Sequence, residues 1–480
     1  MINFRIIARV FSLVLVIEGL FMLLSASVSI IYGEHSSLII SGIITIVTGI
    51  LVFTPLRDNE KLYGNKEGYI IVTGIWLVMS LFGTIPYLMS GTIRSFGDAF
   101  FESMSGFTTT GASILTNVES LPHGILFWRS LTQWLGGLGF IIISLSVLQV
   151  VKSINIPLTL TDFTGQATNR IHPKIKEAAK RIITIYVMLT LSESILLMFG
   201  GMNLFDALCH SFTTISTGGF STRNDGIASF SSPWIMIILT VFMFLAGTNL
   251  TLVYFGLKRN FRKILENNEF IFYTITCIGF ILVSSFVLVS KHEYSSGKAF
   301  LEGAFQSISI ITTTGFYHTN YSLWGSFLIL VIFLMMLTGG MSGSASGSLK
   351  VIRLLLITKN TRHEMRKLIH PNGFIPVRHD RKIVTHSLVS NLLVFITLYF
   401  LILCFSSLVI ALMGNDIVTS FGTSASLLGN IGPGLGNFGP FTNYSAVPMI
   451  GKWFFSFLML IGRVELFSVL VLFTGGFYRK

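Results

Sequence analysis

The chain has 480 residues, of which 52% are hydrophobic and 11% charged, and its mean hydropathy is +0.75. Soluble domains carry about 25% charged residues, so water-soluble enzymes, disordered chains and fibrous proteins are excluded. Lys and Arg nevertheless outnumber Asp and Glu by 33 to 21, and a net charge of +12 on so apolar a chain calls for either an exposed nucleic-acid face or charge sorted to one side of a bilayer.

Apolar runs near 6–31, 37–55, 69–90, 125–151, 182–202, 233–257, 270–290, 324–357, 386–413 and 453–473 predict ten membrane spans. The first is too long for a signal-peptide core and lacks a small-residue cleavage site, so it is expected to be a retained helix. Basic residues cluster at Arg5 and Arg9, in 57–66 (Arg57, Lys61, Lys66), in 152–181, in 258–263, in 350–382 and at Arg479 and Lys480, which together hold 26 of the 33. The positive-inside rule makes those segments cytoplasmic, with both termini inside. The excess charge is thereby assigned to topology in a multi-pass membrane protein, with the lipid bilayer and no nucleic acid as its partner. Cys209, Cys277 and Cys404 lie in apolar stretches with no pairing or ligand spacing and are expected to be buried thiols.

The segments between spans on the other side carry a repeat. DAFFESMSGFTTTGAS (98–113), DALCHSFTTISTGGFS (206–221), EGAFQSISIITTTGFY (302–317) and TSFGTSASLLGNIGPG (419–434) align when Gly111, Gly219, Gly315 and Gly432 are made equivalent, at separations of 108, 96 and 117 residues. A serine then stands eight positions earlier in all four (Ser103, Ser211, Ser307, Ser424). An acid stands thirteen earlier in three (Asp98, Asp206, Glu302), with Thr419 in the fourth. Each copy holds an apolar stretch of about 12 residues, too short to cross a bilayer and suited to a re-entrant half-helix. The expected fold is therefore an all-α integral membrane protein. Residues 1–68 form two extra N-terminal transmembrane helices, and four helix–pore-loop–helix repeats (69–180, 181–268, 269–382 and 383–480) surround a central pore with pseudo-fourfold symmetry.

Unwound backbone at membrane depth must be buried in protein or line water. Four such turns at one axis would present rings of carbonyl oxygens able to replace the hydration shell of an alkali cation, with the negative C-terminal ends of the half-helices aimed at the same place. Glycine allows φ > 0 and close approach of the ion, and Thr109, Thr110, Thr313 and Thr314 add hydroxyls.

These loops, and the chain as a whole, resemble the Trk/Ktr/HKT superfamily of potassium transporters, and the two additional N-terminal spans are most similar to its Trk membrane-subunit branch. The resemblance implies a filter of four nonidentical loops: Thr109-Thr110-Gly111, Thr217-Gly218-Gly219, Thr313-Thr314-Gly315 and Asn430-Ile431-Gly432. K⁺ would be held at Thr109, Thr110, Thr217, Gly218, Thr313, Thr314, Asn430 and Ile431. Glycine in the first loop goes with K⁺ in that superfamily, whereas serine there goes with Na⁺ in part of the HKT branch, so Gly111 implies K⁺.

In the third repeat, TGGMSGSASGS (338–348) places Gly339, Gly340, Gly343 and Gly347 within eleven residues of the inner helix. Glycine costs about 1 kcal/mol per helical site against alanine, so the segment is either a flexible loop facing the pore or a small-xxx-small packing face. The resemblance implies an intramembrane gating loop. Arg463, in mid-span, must face protein or water. It is either a structural clamp or a positive barrier that binds carbonyls of 338–348, and the resemblance supports the barrier. Glu465, two residues on, is a poor partner within the same helix. Lys350 could approach the pore or snorkel to the interface. Gln133 and Asn249 are expected to be packing glue between helices.

No nucleotide fingerprint or catalytic set occurs in a plausible context, so enzymatic function and covalently bound cofactors are not expected. The Trk-type resemblance implies a homodimer on a cytosolic ring of nucleotide-binding TrkA-type subunits, docked through loops 152–180, 258–268 and 350–382. It also implies K⁺ uptake by a gated, channel-like route. An ion-coupled K⁺/Na⁺ or K⁺/H⁺ symporter using the same filter is the alternative.

Overall fold

The computed structural model describes residues 2–53, 65–152, 172–292, 294–370, 378–380 and 382–478. Arg57, Lys61, Arg170, Arg479, Lys480 and most of the expected docking loop 152–180 lie outside the described residues, as do 371–377 of the loop 350–382.

The described chain is almost entirely helical. The first helix, α1 (Phe4–Ile31), is capped by Asn3, whose Oδ1 accepts from the Arg5 and Ile6 amides, and it turns back into α2 (Ser37–Phe53). The two backbones meet at small residues: a Cβ on Gly19 would crowd the Gly42 carbonyl, and one on Gly49 the Ser12 carbonyl. In lipid, where burial gives helices little reason to associate, such close approach is what holds a pair together.

Four units follow. In the first, α3 (Asn65–Phe82) and α4 (Ile85–Met89) lead to the half-helix α5 (Phe96–Phe107) and the inner helix α6 (His123–Lys152). The second is α7 (His172–Phe199), half-helix α8 (Leu204–Ile215), then α9 (Pro233–Ala246) and α10 (Leu250–Leu257), with α11 (Phe261–Leu265) as connection. The third comprises α12 (Asn268–His292), half-helix α13 (Ser296–Ile311), α14 (Gly325–Leu337) and α15 (Val351–Ile369). After a two-residue hairpin, Arg378–His379 against Lys382–Ile383, the fourth contains α16 (His386–Leu412), half-helix α17 (Ile417–Gly429), α18 (Met449–Val464), α19 (Leu466–Leu470) and the short α20 (Gly475–Tyr478). The half-helices have 12, 12, 16 and 13 residues. At 1.5 Å per residue, twelve residues reach about 18 Å, a little over half of a hydrocarbon core about 30 Å thick.

The serine column marks where half-helix meets outer helix. The Ser307 and Ser284 hydroxyls lie 3.4 Å apart, Ser424 bonds to Ser406, and a Cβ on Gly83 would collide with the Ser103 hydroxyl. Ser211 is buried and donates to Ala207 O within its own helix.

Three expectations need correction. The runs 233–257, 324–357 and 453–473 are not single helices. The second inner helix turns by 112° between α9 and α10, and the fourth by 118° between α18 and α19. The third is replaced over 338–350 by non-helical backbone. The local causes are visible: Asn249 Oδ1 accepts from the Thr251 amide and starts a new helix, and Glu465 takes φ 65°, which no α-helix contains. The 338–348 glycines therefore do not form a helix-packing face. Finally, Cys404 lies exposed on the outward side of α16, whereas Cys209 and Cys277 are buried.

Candidate functional site

Each half-helix ends in the same backbone figure. Thr109 (φ 52°), Thr217 (φ 55°), Thr313 (φ 59°) and Asn430 (φ 53°) adopt the left-handed conformation two residues before Gly111, Gly219, Gly315 and Gly432, which also have φ > 0. The next amide folds back five residues in every copy: Thr110 N to Ser105 O, Gly218 N to Thr213 O, Thr314 N to Ser309 O and Ile431 N to Ser426 O, all at 2.8–2.9 Å. This is a Schellman-type helix end, whose left-handed position is ordinarily glycine or asparagine. Only Asn430 follows that preference. A β-branched threonine there costs on the order of 1–2 kcal/mol, and three of the four loops carry one.

The loops close on one another in order. A Cβ on Gly111 would overlap the Gly218 carbonyl, on Gly219 the Thr314 carbonyl, on Gly315 the Ile431 carbonyl, and on Gly432 the Thr110 carbonyl. First touches second, second third, third fourth, and fourth first, so the four loops form a ring. All twelve residues of the triplets are thus brought together, and Thr109, Thr110, Thr217, Thr313, Thr314 and Asn430 are buried.

Side chains from the loops and from outside them hold the ring. The Gln133 amide of α6 donates to Gly218 O at 2.7 Å and accepts from Phe220 N at 3.1 Å, clamping both sides of Gly219. Asn430 Nδ2 reaches Thr110 Oγ1 (3.0 Å) and Met459 O (2.9 Å), while the Tyr444 hydroxyl donates to Gly432 O (2.9 Å). Gln133 is therefore more than packing glue. Its signal in the sequence, one of several polar residues in a largely apolar helix, carries no address.

The acids at the starts of the first three half-helices are all paired. Asp206 accepts from Thr222 and from Arg223 (2.6 Å), and Glu302 contacts His318 (2.7 Å). Both tie a half-helix to the segment that leaves its own loop. In the first unit that task falls to Glu102, which accepts from Ser113, the Ile114 amide and Arg129, while Asp98 binds Lys452 of the fourth unit. Arg129 also donates to Ser221 O (2.9 Å) and lies 3.5 Å from the Phe220 ring centre, joining first and second loops. Beyond the ring opens a cavity of about 280 Å³ lined by Gly111, Gly219, Gly432, Arg129 and Tyr317 among others.

On the other side of the ring lies 338–350, gripped by all four units. The Gly347 amide donates to Thr313 Oγ1 of the third loop (2.7 Å), and a Cβ on Gly347 would strike the Gly429 carbonyl at the end of α17. Asn249 of the second unit donates to Ser342 O (2.7 Å), the Met341 amide donates to Gly247 O (2.8 Å), and Glu269 accepts from Ser342 N (2.6 Å). Arg463, 1% exposed, donates to Ala345 O (2.6 Å) and to Gly136 O of the first unit (3.2 Å), with its guanidinium 4.3 Å from the Phe140 ring centre. Lys350 is buried rather than snorkelling, and its ammonium donates to Ser346 O within the same segment. Glu465 finds its partner across the fold, Arg353 at 2.7 Å. The cavity bounded by Ser346, Lys350, Tyr399 and Arg463 measures only about 10 Å³, room for one water at most.

Multi-pass helical units, four half-helices and one ring of loops backed by a non-helical segment define a pore-loop membrane protein. The family model TrkH, described as cation transport protein, matches residues 34–477, and the chain belongs to that family. It is 33% identical over 483 residues to the Trk system potassium uptake protein TrkH of Halomonas elongata, covering the whole of both chains. It is likewise 33% identical over 484 residues to the protein of that name from Escherichia coli K12, again covering both in full. Among solved structures, the crystal structure of the potassium transporter TrkH from Vibrio parahaemolyticus superposes with a TM-score of 0.91 at 31% identity, covering all of both chains.

Proposed function

We propose that this protein takes up potassium across a bacterial cytoplasmic membrane through a gated, channel-like pore. The ring of four identically wound loops carries the proposal, because carbonyls held at fixed spacing can replace the hydration shell of an alkali cation. K⁺ is held by the loops at Thr109, Thr110, Thr217, Gly218, Thr313, Thr314, Asn430 and Ile431, chiefly through their carbonyls. The names of the relatives, Trk system potassium uptake proteins, support K⁺ as the ion. The half-helices add the negative ends of their dipoles at the same point.

The segment 338–350, with Gly339, Gly340, Gly343 and Gly347, is the gate in its closed position. Buried Arg463 and Lys350 add positive charge in a low dielectric, where it opposes cation passage most strongly. The pore units are 69–180, 181–268, 269–382 and 383–480, and the pair of helices in 1–68 stands outside them. Both termini lie in the cytoplasm, as the basic segments demand. A homodimer bound to a cytosolic TrkA-type ring would reach the gate through 152–180, 258–268 and 350–382, bringing nucleotide control to it.

One observation favours coupled transport as a second reading. Glu18 and Glu193 are fully buried carboxyl groups inside α1 and α7, and an acid at membrane depth can carry a proton. Purified protein in liposomes separates the readings. Rb⁺ flux driven by its own gradient, without a Na⁺ or proton gradient, is the expected result. Strict dependence on either co-ion would replace the channel with a symporter, and no cation flux would remove both.

A further inference from the structure

We propose that the groove between α7 and α10 binds the phosphate of an anionic phospholipid, and that the bound lipid braces the elbow on which the 338–350 segment rests. The groove holds about 480 Å³ and lies at the end of the bundle opposite the half-helices. Two cations converge there on one ring: the Arg181 guanidinium is 4.6 Å, and the Lys258 ammonium 4.9 Å, from the centre of Tyr254. Lys180 lines the same groove, with Glu177 as its one acid. Among the described residues none of the three cations forms an ion pair, so three like charges are gathered around a single acid that is paired with none of them. A phosphate would supply a partner anion and join α7 to α10.

The remaining wall identifies the source of the phosphate. Met188, two turns beyond Arg181 on α7, is exposed and leads from the basic end toward the lipid-facing surface, with the buried Ile185 as the floor between them. A soluble anion has no use for an apolar runway, whereas a phospholipid would lay an acyl chain along it. Basic pockets between transmembrane helices at headgroup level, flanked by an interfacial aromatic, are the established form of such recognition.

The position of α10 gives the site a consequence. This helix begins at the 112° elbow, where Gly247 accepts from Met341 and Asn249 donates to Ser342 O. A lipid that fixes α10 against α7 therefore stiffens the support of the loop. This second half rests on the reading of 338–350 as a gate, and the binding does not.

The test uses the purified full-length protein in nanodiscs of phosphatidylcholine with a minor share of phosphatidylglycerol, with retained lipid counted by native mass spectrometry. Phosphatidylglycerol should be retained over phosphatidylcholine, and Lys180→Ala, Arg181→Ala and Lys258→Ala should each weaken retention about fivefold. The charge-preserving Arg181→Lys should keep most of it, which guards against misfolding as the cause. Retention unchanged in the triple alanine variant would overturn the proposal, as would complete displacement of the lipid by inorganic phosphate. In liposomes, adding phosphatidylglycerol should change Rb⁺ flux in the wild type and not in the triple variant. Equal lipid response in both would remove the link to the loop, while absence of any flux in the wild type would count against the transport reading and leave the binding result standing.

Discussion

Threonine at φ near 55° is a conformation that β-branched side chains avoid, yet Thr109, Thr217 and Thr313 share it with Asn430. The strain is held by the recurring five-residue hydrogen bond behind each loop and by the neighbouring loop in front of it. A side chain at Gly111 would enter the Gly218 carbonyl at a backbone φ of 82° that favours glycine. Gly111→Ser should therefore cut K⁺ over Na⁺ discrimination about tenfold in liposome flux, and unchanged selectivity would show that this loop is not part of the filter. Gln133→Leu leaves the Phe220 amide buried without a partner, a loss of about 1–3 kcal/mol. The wild type should melt higher in K⁺ than in Na⁺ and the variant should lose most of that difference, whereas an undiminished difference would show that Gln133 does not support the ion site. The glycine column was legible in the sequence because φ > 0 and close backbone approach select glycine. The left-handed threonines were not, because threonine there runs against local preference and is imposed by the assembled ring.

At the scale of elements, apolar composition located nearly every helix and misjudged three of the four inner ones. A count of apolar residues measures what can enter a bilayer but not the direction of the axis, and neither Gly247 nor Glu465 differs in kind from residues tolerated inside a helix. The glycine-dense 338–348 segment was legible as a break, since no helix concentrates four glycines in eleven residues without cost. Its anchors were not, because Asn249, Glu269, Thr313 and Arg463 come from four separate places in the chain. Arg463→Ala removes a charge-assisted hydrogen bond to Ala345 O, of the order of 1.5–3 kcal/mol. Taken up in a two-state loop, that would raise basal Rb⁺ flux at least tenfold. Deleting 339–347 should raise it further, and no increase from either would show that the segment does not obstruct the pore.

Across the whole molecule, the basic excess behind the net charge of +12 is concentrated in the sequence segments that do not carry half-helices, and Asp98, Glu102, Asp206 and Glu302 on the half-helix side are each paired with a basic group. That side also carries a pH-sensitive tie between the extra helices and the first unit. Glu34, in the turn after α1, accepts from the His123 amide (2.9 Å) and ring (2.7 Å) and from the Gly124 amide (3.4 Å). Partial burial by itself would raise its carboxyl pKa, but these bonds hold it below the usual 4.5. The stabilisation is full above the ordinary carboxylate value and is lost as pH falls through the depressed one. Glu34→Gln should lower the melting temperature at neutral pH, and the gap from wild type should close on acidification. A gap that persists or widens in acid would contradict the assignment.

The central claim, that four loops from one chain bind a dehydrated cation at their common axis, is tested most directly by anomalous diffraction from crystals grown in Rb⁺. The account predicts Rb⁺ density inside the ring formed by the Thr110, Gly218, Thr314 and Ile431 carbonyls, weakened in Gly111→Ser crystals. An ordered ring that holds no Rb⁺, with the ion found elsewhere in the fold, would contradict it.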